Sequence, residues 1–321
     1  MRDIILHFVI CMTYPIMPVD KVSITVLVDN FTDLLLVENN SLIHRPLLSY
    51  GRTLFAEHGL SLLIQVTSAE KVHTILMDAG ASESALVSNA EILEVNLDDI
   101  EEIVISHGHF DHIGALKQVL RSSSCRLPVH LHPAAFNERR KKRPDGSYTD
   151  LPVLHKDELT HTGAILNLSA GPSFICNQQI LITGEVERTT SFEKGSPVLE
   201  AKEGGNFIVD PFRDDQSLVL NLKHHGLIVI SGCAHAGIIN SVRFAQKISG
   251  IDKVHAVIGG FHLSGPYFRN IIEPTITDMQ KIAPDHIIPL HCTGWEAQTQ
   301  FAKAMPDRFV LSSVGTRFDF T

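Results

Sequence analysis

The residues with the most chemistry in this chain form one short run, Ser106-His107-Gly108-His109-Phe110-Asp111-His112. His107, His109, Asp111 and His112 place three imidazoles and a carboxylate within six residues. Neutral imidazole and carboxylate together suit zinc, iron or manganese. With a single histidine, Asp111 would read as a helix N-cap beside a solvent-facing imidazole, but three histidines and an aspartate at this spacing point to metal. One cation would take His107 and His109, and a neighbour Asp111 and His112. Gly108 lets the chain bend tightly between them.

The flanking segments explain how such a run is held. EEIVIS (101–106) is a short apolar run and reads as a buried strand. DHIGALKQVLR (111–121) carries Ile113, Leu116, Val119 and Leu120 at the spacing of one helix face, which predicts a helix with Asp111 and His112 in its first turn. A site built from this run alone is incomplete, so further ligands are expected from later strand ends. His235 follows GLIVIS (226–231), His262 follows VHAVIG (254–259) and His291 follows HIIPL (286–290), each near glycine. Cys233 lies two residues before His235. It serves as a thiolate ligand or as a small packed thiol. His262 serves as a ligand, as a proton donor, or in a structural hydrogen bond.

Further strands are expected at 21–28, 60–66, 73–77, 128–132, 180–183 and 217–222, and helices at 84–92, 237–248, 270–283 and 295–304. Residues 133–163, with RRKKR at 139–143, are polar and irregular, and 184–215 is likewise expected to loop over the site. The basic run reads as a solvated helix face, or else as an attractor for an anionic substrate. The second half repeats the strand–helix rhythm of the first with no linker between them. This suits either two packed sheets covered by helices or a doubly wound sheet.

With 321 residues, 44% hydrophobic and 20% charged, the chain is an ordinary globular one. Its 27 basic and 36 acidic residues give −9, the wrong sign for a protein that neutralises phosphate backbones, so no nucleic-acid partner is expected. Five scattered cysteines with no CxxC pair exclude a disulfide framework or a zinc ribbon. The apolar stretch 4–19 is interrupted by Pro15 and Pro18 and is shorter than the roughly 20 residues that span a bilayer. Residues 1–20 are therefore read as an extension before a single domain, 21–321. No membrane partner is expected. The location is cytoplasmic, with export through residues 1–20 as the alternative.

SHGHFDH resembles the HxHxDH signature of the metallo-β-lactamase superfamily, LMDAG (76–80) resembles its strand ending in an aspartate, and LHCTG resembles its closing histidine. Within the superfamily the chain is most similar to the dihydropterin synthase-like subgroup. VLVDN (26–30), AEHGLSLLI (56–64), SHGHFDHIGAL (106–116), VISGCAH (229–235), VIGGFHL (257–263) and HCTGW (291–295) carry that resemblance. It implies an α/β fold, the αββα four-layer sandwich, with two divalent metal ions (zinc first, iron or manganese next) at one edge of the paired sheets. It implies His107, His109, Asp111, His112 and His291 as ligands, and Asp78 as a residue orienting them. Members usually place a bridging aspartate after a strand and glycine. Cys233 stands there instead, so either Cys233 takes that role or His235 supplies the ligand and water the bridge; His235 is preferred. Asp29, Asn30, Glu57 and His58 lie in matching blocks and line the pocket or satisfy turns.

The expected chemistry is hydrolysis of an ester, phosphodiester or lactone in a small molecule by water that the metals make acidic. Asp111 would orient the nucleophile, and His262 would protonate the leaving group. An iron-dependent oxidoreductase and a non-catalytic metal-binding signalling protein are the alternatives. A nuclease is disfavoured by the acidic balance.

Overall fold

The computed structural model describes residues 13–49 and 51–321, so residues 4–12 of the apolar N-terminal stretch lie outside the described residues. Of the remainder of that stretch, Ile16 and Val19 are buried, and Val19 bridges to Leu222. The chain then runs through β1 (Lys21–Val28), β2 (Ile43–His44), β3 (Ser61–Ser68), β4 (Lys71–Met77), helix α1 (Ala85–Ile92), β5 (Glu102–Val104), α2 (Leu116–Ser122) and β6 (Leu127–Leu131). A middle stretch supplies β7 (Arg139–Lys142), β8 (Tyr148–Asp150), α3 (Lys156–Thr162), β9 (Ala164–Leu168), β10 (Ser173–Ile175), β11 (Ile180–Ile182), β12 (Leu199–Glu203) and β13 (Asn206–Val209). The last part holds β14 (Ser217–Leu222), β15 (Gly226–Ser231), α4 (Ile238–Ser249), β16 (Val254–Gly260), α5 (Ile272–Ile282), β17 (His286–Leu290), α6 (Trp295–Ala304) and β18 (Arg317–Phe320).

Two sheets form the body. One has the order β2-β18-β1-β3-β4-β5-β6-β9 and the other β10-β11-β14-β15-β16-β17. Each is antiparallel on one side and parallel on the other, along β4-β5-β6-β9 and β15-β16-β17. Strand alternation builds the layers. Along β15, Ile228 and Ile230 face a core between the sheets, while Leu227 and Val229 face a second core under the helices. β3 does the same with Leu62 and Ile64 inward and Leu63 outward. Both faces of these strands are buried, which is why they read as continuous apolar runs. The result is the four-layer αββα sandwich.

Two expectations from sequence need correction. The helix expected from Asp111 begins only at Leu116, and Phe110–His112 is a single 3-10 turn. The backbone donors between them are already used: Gly114 N donates to Gly80 O and Ala115 N to Ala79 O, while His112 O accepts from Ala79 N. The segment is stitched to the end of β4 instead of to its own preceding turn. The region 133–163 is not irregular either, and the basic run is not a helix face. Arg139–Lys142 is strand β7 of a four-stranded sheet, β13-β12-β7-β8, which also draws on the expected loop 184–215. Arg140 lies opposite Glu200, and its guanidinium sits 3.7 Å from the Tyr148 ring centre and 4.0 Å from that of Phe207.

The body sheets approach closely at one edge. Gly232, just after β15, faces Ser106 after β5, and a Cβ on Gly232 would lie 2.0 Å from Ser106 Oγ. Gly232→Ala should therefore destabilise the protein by about 1–3 kcal/mol or more, read as a lowered urea midpoint.

Candidate metal centre

Five strand ends meet at that edge: β4 leads to Asp78, β5 to the 106–112 run, β15 to Cys233 and His235, β16 to His262, and β17 to His291. Ligand sites in α/β sheets commonly form beyond the carboxyl ends of strands. Four residues turning these ends are left-handed without being glycine: Asp78 (φ 61°), Ala234 (53°), His262 (49°) and His291 (46°). Such conformations cost energy and persist where surrounding structure enforces them, which is common at functional sites.

The structure brings these side chains together. His235 Nε2 lies 3.2 Å from His107 Nε2 and 3.1 Å from His109 Nδ1. Asp111 Oδ2 lies 3.4 Å from His291 Nε2 and 3.9 Å from His112 Nε2. Cys233 Sγ sits between these groups, 3.1 Å from His112 Nε2. Its sulfur lies within 4.8 Å of ligand atoms in three sets, His107 with His235, His112 with His291, and His262 with Cys292. Cys233 and His235 are thus both in the cluster, and neither displaces the other. His262 stands to one side, its ring 4.1 Å from that of His235 and 4.7 Å from Phe268.

Asp78 organises the cluster from below. It is fully buried, accepts from Ser106 N at 2.7 Å and from Ser106 Oγ at 2.6 Å, and lies 2.6 Å from His112 Nδ1. Ser106 Oγ is in turn 2.9 Å from His107 Nδ1. These contacts aim the Nε2 atoms of both histidines into the cluster. Asn30 and Asp29 do the same for His291: Asn30 Oδ1 is 2.8 Å from its Nδ1, and Asp29 Oδ1 accepts from its backbone N at 2.8 Å. Glu57 turns away and caps Ala81 N and Ser82 N. His58 lies at the mouth, its side chain 60% exposed and its Nε2 3.3 Å from Asp111 Oδ2.

A second support was not read from sequence. Asp214 accepts from Gly108 N at 2.8 Å and from Arg139 Nη2 at 2.6 Å, and Asp210 accepts from Arg139 Nε at 2.8 Å. Asp215 accepts from Ala236 N, and the Phe212 ring stacks on His235 with centres 4.3 Å apart. The dense acidic stretch DPFRDDQ (210–216) before β14 was the available signal. Arg139 is therefore committed to these carboxylates and is not free to attract a substrate.

The electrostatics split the histidines. Burial holds His107 and His235 well below the ordinary imidazole range, helped by neighbouring imidazoles, and burial with the Arg139 guanidinium depresses His109 to about 3. These three present neutral rings, the form that binds metal. For His112, burial opposes the charge, but Asp78 and Asp111 outweigh it and raise the pKa to about 9. For Asp111, burial likewise opposes ionisation, yet His112 and His291 hold the carboxyl well below its usual range.

The comparisons with known proteins agree with this geometry. Residues 57–230 match the family model of the metallo-beta-lactamase superfamily. The chain belongs to this superfamily. It is 32% identical over 275 residues to the 7,8-dihydropterin-6-methyl-4-(beta-D-ribofuranosyl)-aminobenzene-5'-phosphate synthase of Methanocaldococcus jannaschii, covering 84% of this chain and 92% of that protein. It is 35% identical over 83 residues to the probable metallo-hydrolase YflN of Bacillus subtilis, 23% of this chain and 30% of that one. Among solved structures, Tm1679, described as a metal-dependent hydrolase of the beta-lactamase superfamily, superposes with a TM-score of 0.70 at 24% identity over 92% of this chain and 98% of its own. Among the described residues, no helix is long and apolar enough to cross a membrane.

Two outcomes test this site in metal-free protein. An imidazole ordinarily titrates at about 6.5, so the raised His112 stabilises the fold fully below about pH 6.5 and loses that contribution as pH rises through about 9. The stability gap between the wild type and Asp78→Asn, measured by urea unfolding with chelator present, should be largest near pH 6 and shrink toward about pH 9.5. Arg139→Met leaves Asp210 and Asp214 buried without their cation, and should cost about 3–5 kcal/mol by the same measurement.

Proposed function

We propose that this chain is a metal-dependent hydrolase that opens an ester, phosphodiester or lactone bond in a small molecule. The observation that carries the reading is the meeting of His107, His109 and His235 at 3.1–3.2 Å. Three imidazole nitrogens around one point cannot all be satisfied by hydrogen bonds to each other. The cluster-facing Nε2 of His291 is also buried without a hydrogen-bond partner. Orphaned buried nitrogens of this kind fit a cation.

In this reading His107, His109 and His235 hold one divalent cation, Asp111, His112 and His291 hold a second, and Cys233 lies between them in the place of a bridge. Zinc suits the nitrogen-rich set, and iron or manganese suit it next. Bound cations supply Lewis acidity and a water acidified toward neutral pH. The chain supplies the rest. Asp78 and Asn30 hold His112 and His291 with their Nε2 atoms turned inward. Asp111, kept ionised by His112 and His291, would share in holding a cation and orient the attacking water. His58, exposed and 3.3 Å from Asp111 Oδ2, would protonate the leaving group. His262 was the sequence-based choice for that step. Its ring is packed against His235 and Phe268, so His58 is the better placed of the two.

The substrate class is small molecules, anionic ones included. The synthase name of the Methanocaldococcus relative supports a second reading, a bond-forming reaction yielding a dihydropterin-aminobenzene phosphate.

Elemental analysis paired with a panel of phosphodiester, lactone and thioester substrates tests the proposal. His107→Ala and Asp111→Ala should each lose bound metal and reduce hydrolysis by about a hundredfold or more. Hydrolysis that survives full chelation overturns the reading, and oxygen uptake by an iron-loaded protein would replace it with an oxidoreductase.

A further inference from the structure

We propose that Cys233 and Cys292 are an oxidative modification site, joining in a reversible disulfide when the protein meets hydrogen peroxide. A corollary rests on the function proposed above: because Cys233 lies between the two cation positions, the disulfide disarms the metal centre.

The two cysteines follow β15 and β17, and β16 runs between those strands. Neighbouring strands lie about 4.8 Å apart, so side chains two strands distant are ordinarily kept apart by the middle one. Gly260, the last residue of β16, removes that barrier. A Cβ there would lie 2.6 Å from Cys292 Sγ and 3.3 Å from Cys233 Cα. The cysteines meet across bare backbone, their sulfurs within 4.8 Å of one another. Cys292 is aimed at its partner by the protein itself. Its Sγ accepts from His262 N at 3.3 Å and lies 3.6 Å from Cys233 O. Both thiols are free in this structure. The described cysteines Cys125 and Cys176 take no part in this cluster, since Cys125 lies beside Ser123 and Cys176 beside Glu102.

The reaction balances without a further reagent. The Cys292 sulfur attacks one peroxide oxygen, the O–O bond breaks, and hydroxide leaves with the thiol proton as water. Cys292 is then a sulfenic acid. The Cys233 sulfur attacks that sulfur, the S–S bond forms, the S–O bond breaks, and the hydroxyl departs as a second water with the Cys233 proton. Two thiols and one peroxide become one disulfide and two waters, and a dithiol reductant reverses the change.

The consequence for the centre is geometric. Cys233 Sγ now stands 3.1 Å from His112 Nε2 and is shared by the His107–His235 and His112–His291 groups. Bonded to Cys292, it is drawn out of both. A cation resting on Cys233 would in turn hold its sulfur back from the Cys292 sulfenic acid, so the disulfide should form faster in chelated protein.

The test treats full-length purified protein, with and without prior chelation, with hydrogen peroxide. Peptide mass spectrometry, elemental analysis and differential alkylation follow, each before and after dithiothreitol. The expected result is a cross-linked peptide pair joining Cys233 and Cys292, lighter by about two mass units. Bound metal should fall by at least half, and the cross-link should vanish on reduction, with metal rebinding. In Cys292→Ser the reversible metal loss should disappear. Cys233 and Cys292 both recovered as free thiols, or oxidised separately to sulfinic acids, would overturn the proposal, as would an equal and reversible metal loss in Cys292→Ser. A cross-link with metal content unchanged would support the disulfide and overturn the placement of Cys233 in the metal centre. Should the variant fail to fold, differential alkylation of the wild type decides.

Discussion

The carboxylate of Asp78 engages three groups at once, the backbone N–H of Ser106, its hydroxyl and the Nδ1 of His112, at 2.6–2.7 Å and wholly out of solvent. A buried charge is tolerated only when its lone pairs are used, so these contacts are obligatory, and losing one leaves the others in excess. They lock the end of β4 to the turn after β5. Through Ser106 they reach His107, and through His112 the opposite side of the cluster. The rest of the site is arranged around this anchor. The helix-like segment after Asp111 starts late because its backbone donors go to the residues beside Asp78.

The body sheets supply the rigidity on which that anchor relies. β15, β16 and β17 are buried on both faces, so their ends have little freedom. The cost appears as left-handed backbone at Asp78, Ala234, His262 and His291, and as glycines at 232 and 260 where a methyl would collide with a neighbouring strand end. The small sheet β13-β12-β7-β8 is tied to the same place by the buried pairing of Arg139 with Asp210 and Asp214, the latter also bonding Gly108 N. A structure that looks peripheral is thereby coupled to the loop bearing His107 and His109.

Much of this was legible locally. The 106–112 run stood out through residue type and spacing, and the strands β1, β3, β4 and β14–β17 through apolar runs that end within two residues of where expected. His235, His262 and His291 were visible because each follows such a run. The small sheet β13-β12-β7-β8 was not legible. β7 is made of arginine and lysine, and its strand character comes from pairing with β12 and from the packing of Arg140 over the Phe207 ring, contacts made by residues about 60 positions later. The 210–216 carboxylates were likewise hidden, because an acidic run reads as solvated until a buried arginine is found opposite it.

By itself the sequence determined which groups could bind metal and that they would sit at the ends of buried strands, because ligand chemistry and strand periodicity are properties of neighbouring residues. Only the tertiary structure decided which groups share a space. It set His235 against His107 and His109, brought His58 to Asp111 at the mouth, and laid Cys292 beside Cys233 across Gly260. Those meetings depend on sheet order and on how closely backbones approach, and residues that meet across roughly 50 to 130 positions of chain leave no local pattern to mark them.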